Sequence, residues 1–334
     1  VYKYEDLNGN GVLDDGEPAV PGVFVELLLD DEVMANGTTD ENGTICFTGL
    51  VLGEYTVIET VPEGWYATTP ASVGVEIDSS GERGTVTFLN TRYGTICVYK
   101  YEDENGNGTH ESEEAAVEGV HIVIRGATGA IVAQGFTDEN GEFCYCPLVI
   151  GTYFVEELIS EGWYAHGDVI QQATIDTSGQ SVHVTFLNIR YGEICVWKYE
   201  DKDGSGSLAP GEPGVGGVVI NLYNETMSLI GTNTTDDNGY ACFYRLKLGT
   251  YYVEEVLPDG WYTEGDLVKQ VVIDESGETE FPLFANIRYG QICAFKYEDL
   301  NGNGVLDDGE PAVHNVTMNL LLDGDIVCTN VTDR

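Results

Sequence analysis

Short runs in which apolar and polar residues alternate recur along the whole chain, separated by turn-forming residues. A two-residue period marks half-buried strands. In the second of several similar segments it predicts strands at 95–102, 118–125, 130–137, 142–146, 151–158, 169–175 and 182–189. Turns at Asp138-Glu139-Asn140-Gly141 and near Ser178-Gly179 use residues that tolerate positive φ. No stretch keeps a helical period over ten residues. Seven strands in about 98 residues predict an all-β chain of immunoglobulin-like sandwiches.

The pattern repeats. Modules are expected at 1–92 (its first strand truncated), 93–190, 191–288 and 289–334, the last less than half of one. Residues 3–20 and 296–313 are identical, which suggests a three-module super-repeat and a chain that is a slice of a longer array. The joints Asn90-Thr91-Arg92-Tyr93-Gly94, Asn188-Ile189-Arg190-Tyr191-Gly192 and Asn286-Ile287-Arg288-Tyr289-Gly290 contain no flexible linker, so a stiff rod is expected. Arg92, Arg190 and Arg288 are read as fixing the inter-module angle by pairing with carboxylates. A solubilising charge at a strand end is the alternative.

Four of the seven lysines share one place in the repeat: Lys3, Lys100, Lys198 and Lys296. In Ile96-Cys97-Val98-Tyr99-Lys100, the lysine shares the face of Ile96 and Val98. A lysine on an apolar face needs a partner or must lose its charge. Two more polar residues recur on inward faces. Glu59 shares a face with Tyr55, Val57 and Val61, and Glu157 and Glu255 stand in the same place. Asn90 shares a face with Val86 and Phe88, as Asn188 and Asn286 do in their modules.

The lysine strand, the segment from Gly53 to Trp65 (Gly-X-Tyr-X-X-X-Glu-X-X-Pro-X-Gly-aromatic) and a last strand ending in Asn together resemble collagen-adhesin B-type domains, which are prealbumin-like sandwiches. That resemblance implies intramolecular isopeptides Lys3–Asn90, Lys100–Asn188 and Lys198–Asn286, with Glu59, Glu157 and Glu255 as proton shuttles. Lys296 has no partner in its shortened module. The alternative is a buried Lys–Glu ion pair beside a hydrogen-bonded Asn, an arrangement that adds little net stability.

After each lysine strand comes an acidic loop. Asp6, Asn8, Asn10, the Val12 carbonyl, Asp14 and Glu17 hold positions 1, 3, 5, 7, 9 and 12 of an EF-hand-type calcium loop, with Gly11 at the sharp turn. Asp299, Asn301, Asn303, Val305, Asp307 and Glu310 repeat it. The second loop offers Asp103, Asn105, Asn107, Thr109, Glu111 and Glu114. The third offers Asp201, Asp203, Ser205, Ser207 and Glu212, with Ala209 where a carboxylate would stand. The expected cofactor is Ca2+; a solvated Asx-rich turn is the alternative. Calcium loops flanked by strands, with the turn Thr39-Asp40-Glu41-Asn42-Gly43, are similar to the B repeats of serine-aspartate-rich surface adhesins. Those repeats usually lack the bond-forming lysine, so neither family's behaviour carries over whole.

Cys97, Cys195 and Cys293 share one repeat position, and Cys46, Cys144 and Cys242 another. If the two strands are neighbours, as the resemblance implies, disulfides Cys97–Cys144 and Cys195–Cys242 follow. Cys46 and Cys293 would then pair beyond the chain ends, and Cys146 and Cys328 are candidates for inter-chain bonds; free thiols are the alternative. Repeat-related cysteines suggest an oxidising compartment. Acceptor triplets at Asn36, Asn42, Asn224, Asn233, Asn315 and Asn330 point to a glycoprotein; Asn107 also heads one, but as a metal ligand it is expected to be unmodified.

A formal net charge of −43, from 57 acidic against 14 basic residues, argues against nucleic acid. Halophilic adaptation is a second source of that acidity. No run of about 18 apolar residues spans a membrane, and a start in mid-strand suggests that the natural N-terminus is missing. No Cys-X2-Cys, catalytic triad or phosphate loop occurs. The expectation is a non-enzymatic extracellular protein that self-associates as the shaft of a surface fibre, filament or sheath. The stalk of an adhesin is the alternative.

Overall fold

The computed structural model describes residues 1–333 and is entirely strands, turns and loops. The second module shows the plan. One antiparallel sheet orders Ile131–Phe136, His121–Gly126, Gly151–Leu158 and Ile170–Ile175. The facing sheet orders Glu142–Leu148, Gly94–Glu102, Ser181–Arg190 and Trp163–His166. Between them lie Ile96, Val98, Ile122, Ile124, Val155, Ile175 and Phe186, all buried. The first and third modules repeat this core around Phe88 and Phe284.

Eight strands appear where the alternation predicts seven. The extra one, Trp163–His166, is half-buried on both faces apart from its last residue, so it carries no two-residue signal. The strand expected from 118 starts at His121, because Gly119 takes φ +78° in a turn.

The lysine strand lies at the centre of its sheet. Gly94–Glu102 is paired antiparallel with Glu142–Leu148 on one side and parallel with Ser181–Arg190 on the other. The first and last strands of a module are therefore neighbours, and both edges of the lysine strand are paired. The Asx turn beyond it fixes its position: Asp138 Oδ1 accepts the Asn140 and Glu142 N–H groups, and the Gly141 carbonyl accepts the Lys100 N–H at 2.8 Å. Gly141 sits so close to the Lys100 carbonyl that a side chain there would collide with backbone. Gly43 and Gly239 stand in the same relation to Lys3 and Lys198.

Of the fourth module the structure shows the acidic loop and one hairpin, Thr317–Leu322 with Asp325–Val331. No helix among the described residues is long and apolar enough to cross a membrane.

Candidate functional sites

Each complete module gathers an amine, an acid and an amide in its core. Lys3, Lys100 and Lys198 are fully buried, and Asn90, Asn188 and Asn286 nearly or fully so. In the first module Glu59 Oε2 lies 3.5 Å from Lys3 Nζ and accepts from Asn90 Nδ2 at 3.3 Å. In the second, Glu157 Oε2 lies 3.7 Å from Lys100 Nζ and 3.2 Å from Asn188 Nδ2. In the third, Glu255 Oε1 lies 3.9 Å from Lys198 Nζ and accepts from Asn286 Nδ2. A single carboxylate oxygen thus bridges amine and amide three times. The three residues come from the first, middle and last strands, and the parallel register sets Lys100 opposite Phe186, two residues from Asn188.

Burial dominates the electrostatics. It lowers each lysine from 10.5 to about 8 against the opposing attraction of its glutamate. Burial likewise raises Glu59, Glu157 and Glu255, opposed first by the lysine beside each. Both shifts favour one proton passing from Nζ to the carboxyl, leaving a neutral amine beside a neutral acid. The Asn90, Asn188 and Asn286 Oδ1 atoms, together with Glu59 and Glu157 Oε1, are buried without a hydrogen-bond partner. Orphaned acceptors of this kind are costly, and a proton on the carboxyl would relieve them.

Lys296 is different. It is exposed, and its Nζ donates only to the Tyr297 carbonyl among the described residues.

The acidic loops close around their first aspartate. Asp6 Oδ1 and Oδ2 accept the N–H groups of Gly9, Asn10 and Gly11, and Glu17 accepts those of Leu7 and Asp14. Asp299 and Glu310 repeat the pattern. Asp299 is held below the usual carboxylate range chiefly by the Gly304 N–H. Two observations fit a cation. Carboxylate oxygens of Asp201, Asp203 and Glu212 lie within 4.8 Å of one another, and Glu111 Oε2 is buried without a partner. Two oppose it. Asn8 and Asn10 turn their amide nitrogens to Asp14 Oδ2 and would have to turn over to offer oxygen. In the second loop His166 Nδ1 already lies 2.8 Å from Asp103 Oδ2.

The disulfides Cys97–Cys144 and Cys195–Cys242 form between neighbouring strands, at register-paired positions. Cys46, Cys146, Cys293 and Cys328 are free and exposed. Cys328 pairs in register with Leu320, the relation Ala133 has to Ile124 and Ala35 to Leu27. Both residues of that pair are exposed in the fourth module's hairpin.

The joint arginines pair with carboxylates of their own module. Arg92 reaches Glu5 at 3.2 Å, Arg190 reaches Glu102 at 2.7 Å and Arg288 reaches Glu200 at 3.0 Å. Their guanidinium groups lie over Trp65, Trp163 and Trp261. Sequence reasoning passed over these glutamates, although the recurrence of Lys-Tyr-Glu-Asp at 3–6, 100–103, 198–201 and 296–299 contained the signal.

Tandem sandwiches joined end to end, each with the same buried amine, acid and amide, define a repeat array of β-sandwich modules. The SdrD B-like domain family matches residues 2–93, 94–193 and 189–279, and the chain belongs to it. Serine-aspartate repeat-containing protein F of Staphylococcus epidermidis is 28% identical over 100% of this chain and 22% of its own length. Serine-aspartate repeat-containing protein D of Staphylococcus aureus (strain MW2) is also 28% identical, over 100% of this chain and 28% of its own. The chain thus spans about a quarter of these relatives. Among solved structures, the Bacillus anthracis TIE protein is 19% identical with TM-score 0.45, covering 86% of this chain and 50% of its own. BcpA, the major pilin subunit of Bacillus cereus, is 14% identical with TM-score 0.44, covering 86% and 98%. Family membership places the chain outside the cell, at the cell surface, in a structural role.

Proposed function

We propose that this chain is a load-bearing shaft segment whose complete modules, divided near residues 92, 190 and 288, are each closed by a Lys–Asn isopeptide. The observation that carries the reading is one buried carboxylate oxygen shared by an amine and an amide, three times over. With its proton passed to the carboxyl, Lys100 Nζ attacks Asn188 Cγ. The Asn188 Cγ–Nδ2 bond breaks, the carboxyl protonates the departing nitrogen, and ammonia leaves. Of the two protons left on Nζ, one returns the carboxyl to its neutral form and the other stays on the new amide nitrogen, so one amide replaces another. Lys3 with Asn90 and Lys198 with Asn286 react in the same way.

The topology gives this bond a mechanical meaning. Tension enters at the start of the lysine strand and leaves at the end of the asparagine strand, and these are parallel neighbours. A bond from Lys100 to Asn188 carries the load past everything between them. The acidic loops take Ca2+ through Asp6, Asn8, Asn10, Val12, Asp14 and Glu17 and their counterparts, and the ion neutralises converging carboxylates. Exposed Asn36, Asn42, Asn233, Asn315 and Asn330 and half-buried Asn224 accept glycans in this reading, while Asn107 does not. Self-association into a fibre, with Cys146 and Cys328 as the thiols available for inter-chain disulfides, completes the proposal.

The stalk of a larger surface protein is the second reading, favoured by the quarter-length match to the relatives. Intact mass tests the first. The reading requires a deficit of about 17 Da for each of three modules, beyond the hydrogens lost to disulfides. A chain at its full calculated mass overturns it.

A further inference from the structure

The two fully described joints contain an interface built from residues that neither the isopeptide nor the acidic-loop reading uses. At the first, the Ser178 hydroxyl of the second module donates to Glu5 Oε1 of the first at 2.6 Å. Ser178 Oγ in turn accepts the Arg92 N–H at 2.9 Å, and the Ser178 N–H donates to the Leu7 carbonyl at 2.8 Å. At the second, Ser276 donates to Glu102 Oε1 at 2.6 Å, accepts the Arg190 N–H at 2.8 Å and gives its own N–H to the Glu104 carbonyl at 2.8 Å. Glu5 and Glu102 are more than nine-tenths buried, so each hydroxyl meets a largely dehydrated carboxylate already committed to an arginine.

A second contact lies beside the first. The Ile150 N–H donates to the Tyr66 hydroxyl at 3.1 Å and the Leu248 N–H to the Tyr164 hydroxyl at 3.1 Å. The Ile150 side chain packs against Gly9 and that of Leu248 against Gly106, where a Cβ on the glycine would collide with it. Both joints repeat the same donors, acceptors and aliphatic plug.

We propose that Ser178 and Ser276, with Ile150 and Leu248, latch successive modules at a fixed angle, so that the partner of this surface is the preceding module's glutamate, loop carbonyl and loop glycine. The latch is directional. Glutamate, loop carbonyl, arginine N–H and tyrosine hydroxyl come from the preceding module at both joints, and the serine and the Ile150 or Leu248 N–H from the following one, so the contact is head-to-tail and each joint repeats the last. It requires no isopeptide, and its failure would leave the bond chemistry untouched.

The test uses small-angle X-ray scattering of the full chain. The wild-type chain should show the linear cross-section region of a rod. The double variant Ser178→Asp with Ser276→Asp sets a second carboxylate against each buried glutamate and should lose that region, with maximum dimensions spread to shorter values. Ser178→Ala with Ser276→Ala should lose it in part, and the Thr pair, which keeps the hydroxyl, should retain it. Ser80 occupies the same turn in the first module, where it is exposed and touches no joint, so Ser80→Asp should change nothing. Unaltered circular dichroism and four free thiols would establish that the modules stay folded. A scattering curve for the double Asp variant superimposable on wild type, or an equal change in Ser80→Asp, overturns the proposal.

Discussion

Residues 3–20 and 296–313 carry the same amino acids, yet one half of their structure is the same and the other is not. The loops agree in detail. Asn8 and Asn10 donate to Asp14 as Asn301 and Asn303 donate to Asp307, and the glutamates close both ends alike. The lysines disagree. Lys3 is fully buried beside Glu59 and Asn90, whereas Lys296 lies in the open. Each keeps the local contact to its valine, Val20 or Val313, but only Lys3 has the turn glycine and the parallel strand against it. The acidic loop is a local structure that eighteen residues specify. The amine site is a meeting of three distant strands, and no local sequence can make it.

That contrast can be broken most forcefully at the bond. Lys100→Arg keeps the charge but removes the nucleophile, and on the isopeptide reading it deletes a cross-link spanning most of the second module. By the loop-closure relation this costs about 4.6 kcal/mol, which for a module of this size lowers its melting temperature by about 20 °C. Differential scanning calorimetry reads the shift. Lys296→Arg, the same change where no site exists, should move nothing.

Removing the Cys97–Cys144 disulfide by double serine substitution opens a shorter loop of 47 residues. The expected loss is about 4 kcal/mol, again confined to the second module and visible in urea denaturation.

The pH dependence sharpens the contrast further. In Asn188→Ala the lysine and glutamate stay buried but unlinked. Lys100, lowered to about 8 in the fold, has its ordinary 10.5 when unfolded. The unfolded chain then binds more protons between these values, so stability rises as pH rises from about 8 to 10.5. Glu157 is raised in the fold, so stability falls as pH climbs from the ordinary carboxylate value through the raised one. A wild type linked as proposed would have no titrating Lys100 and would lack the alkaline rise. Equal slopes for both proteins in calorimetry across that range would sink this account.

The smallest effects belong to the loops. Because the first and fourth are local and identical, calcium titration calorimetry should give them affinities within a factor of about three. The third, with Ala209 in place of a carboxylate, should bind about tenfold more weakly. Asp6→Asn together with Glu17→Gln should silence the first loop and leave the fourth unchanged.

The alternating pattern made the sandwich legible, because Ile96, Val98 and Lys100 fall on one face by simple counting. The amine, acid and amide were legible for the same reason: a polar residue repeating on an apolar face declares that it has company. The strand Trp163–His166 was not, since neither face is fully covered. His166 on Asp103 was hidden as well, because nothing in the spacing brings residues 103 and 166 together. Glu5 and Ser178, 173 positions apart, could be joined only by seeing how one module sits on the next.

Peptide mapping of the untreated chain tests the central claim most directly, because it reads the equivalent lysines side by side. Proteolysis followed by tandem mass spectrometry should find Lys3 joined to Asn90, Lys100 to Asn188 and Lys198 to Asn286, each with ammonia lost, and Lys296 in a linear peptide. Linear peptides for all four would contradict the account.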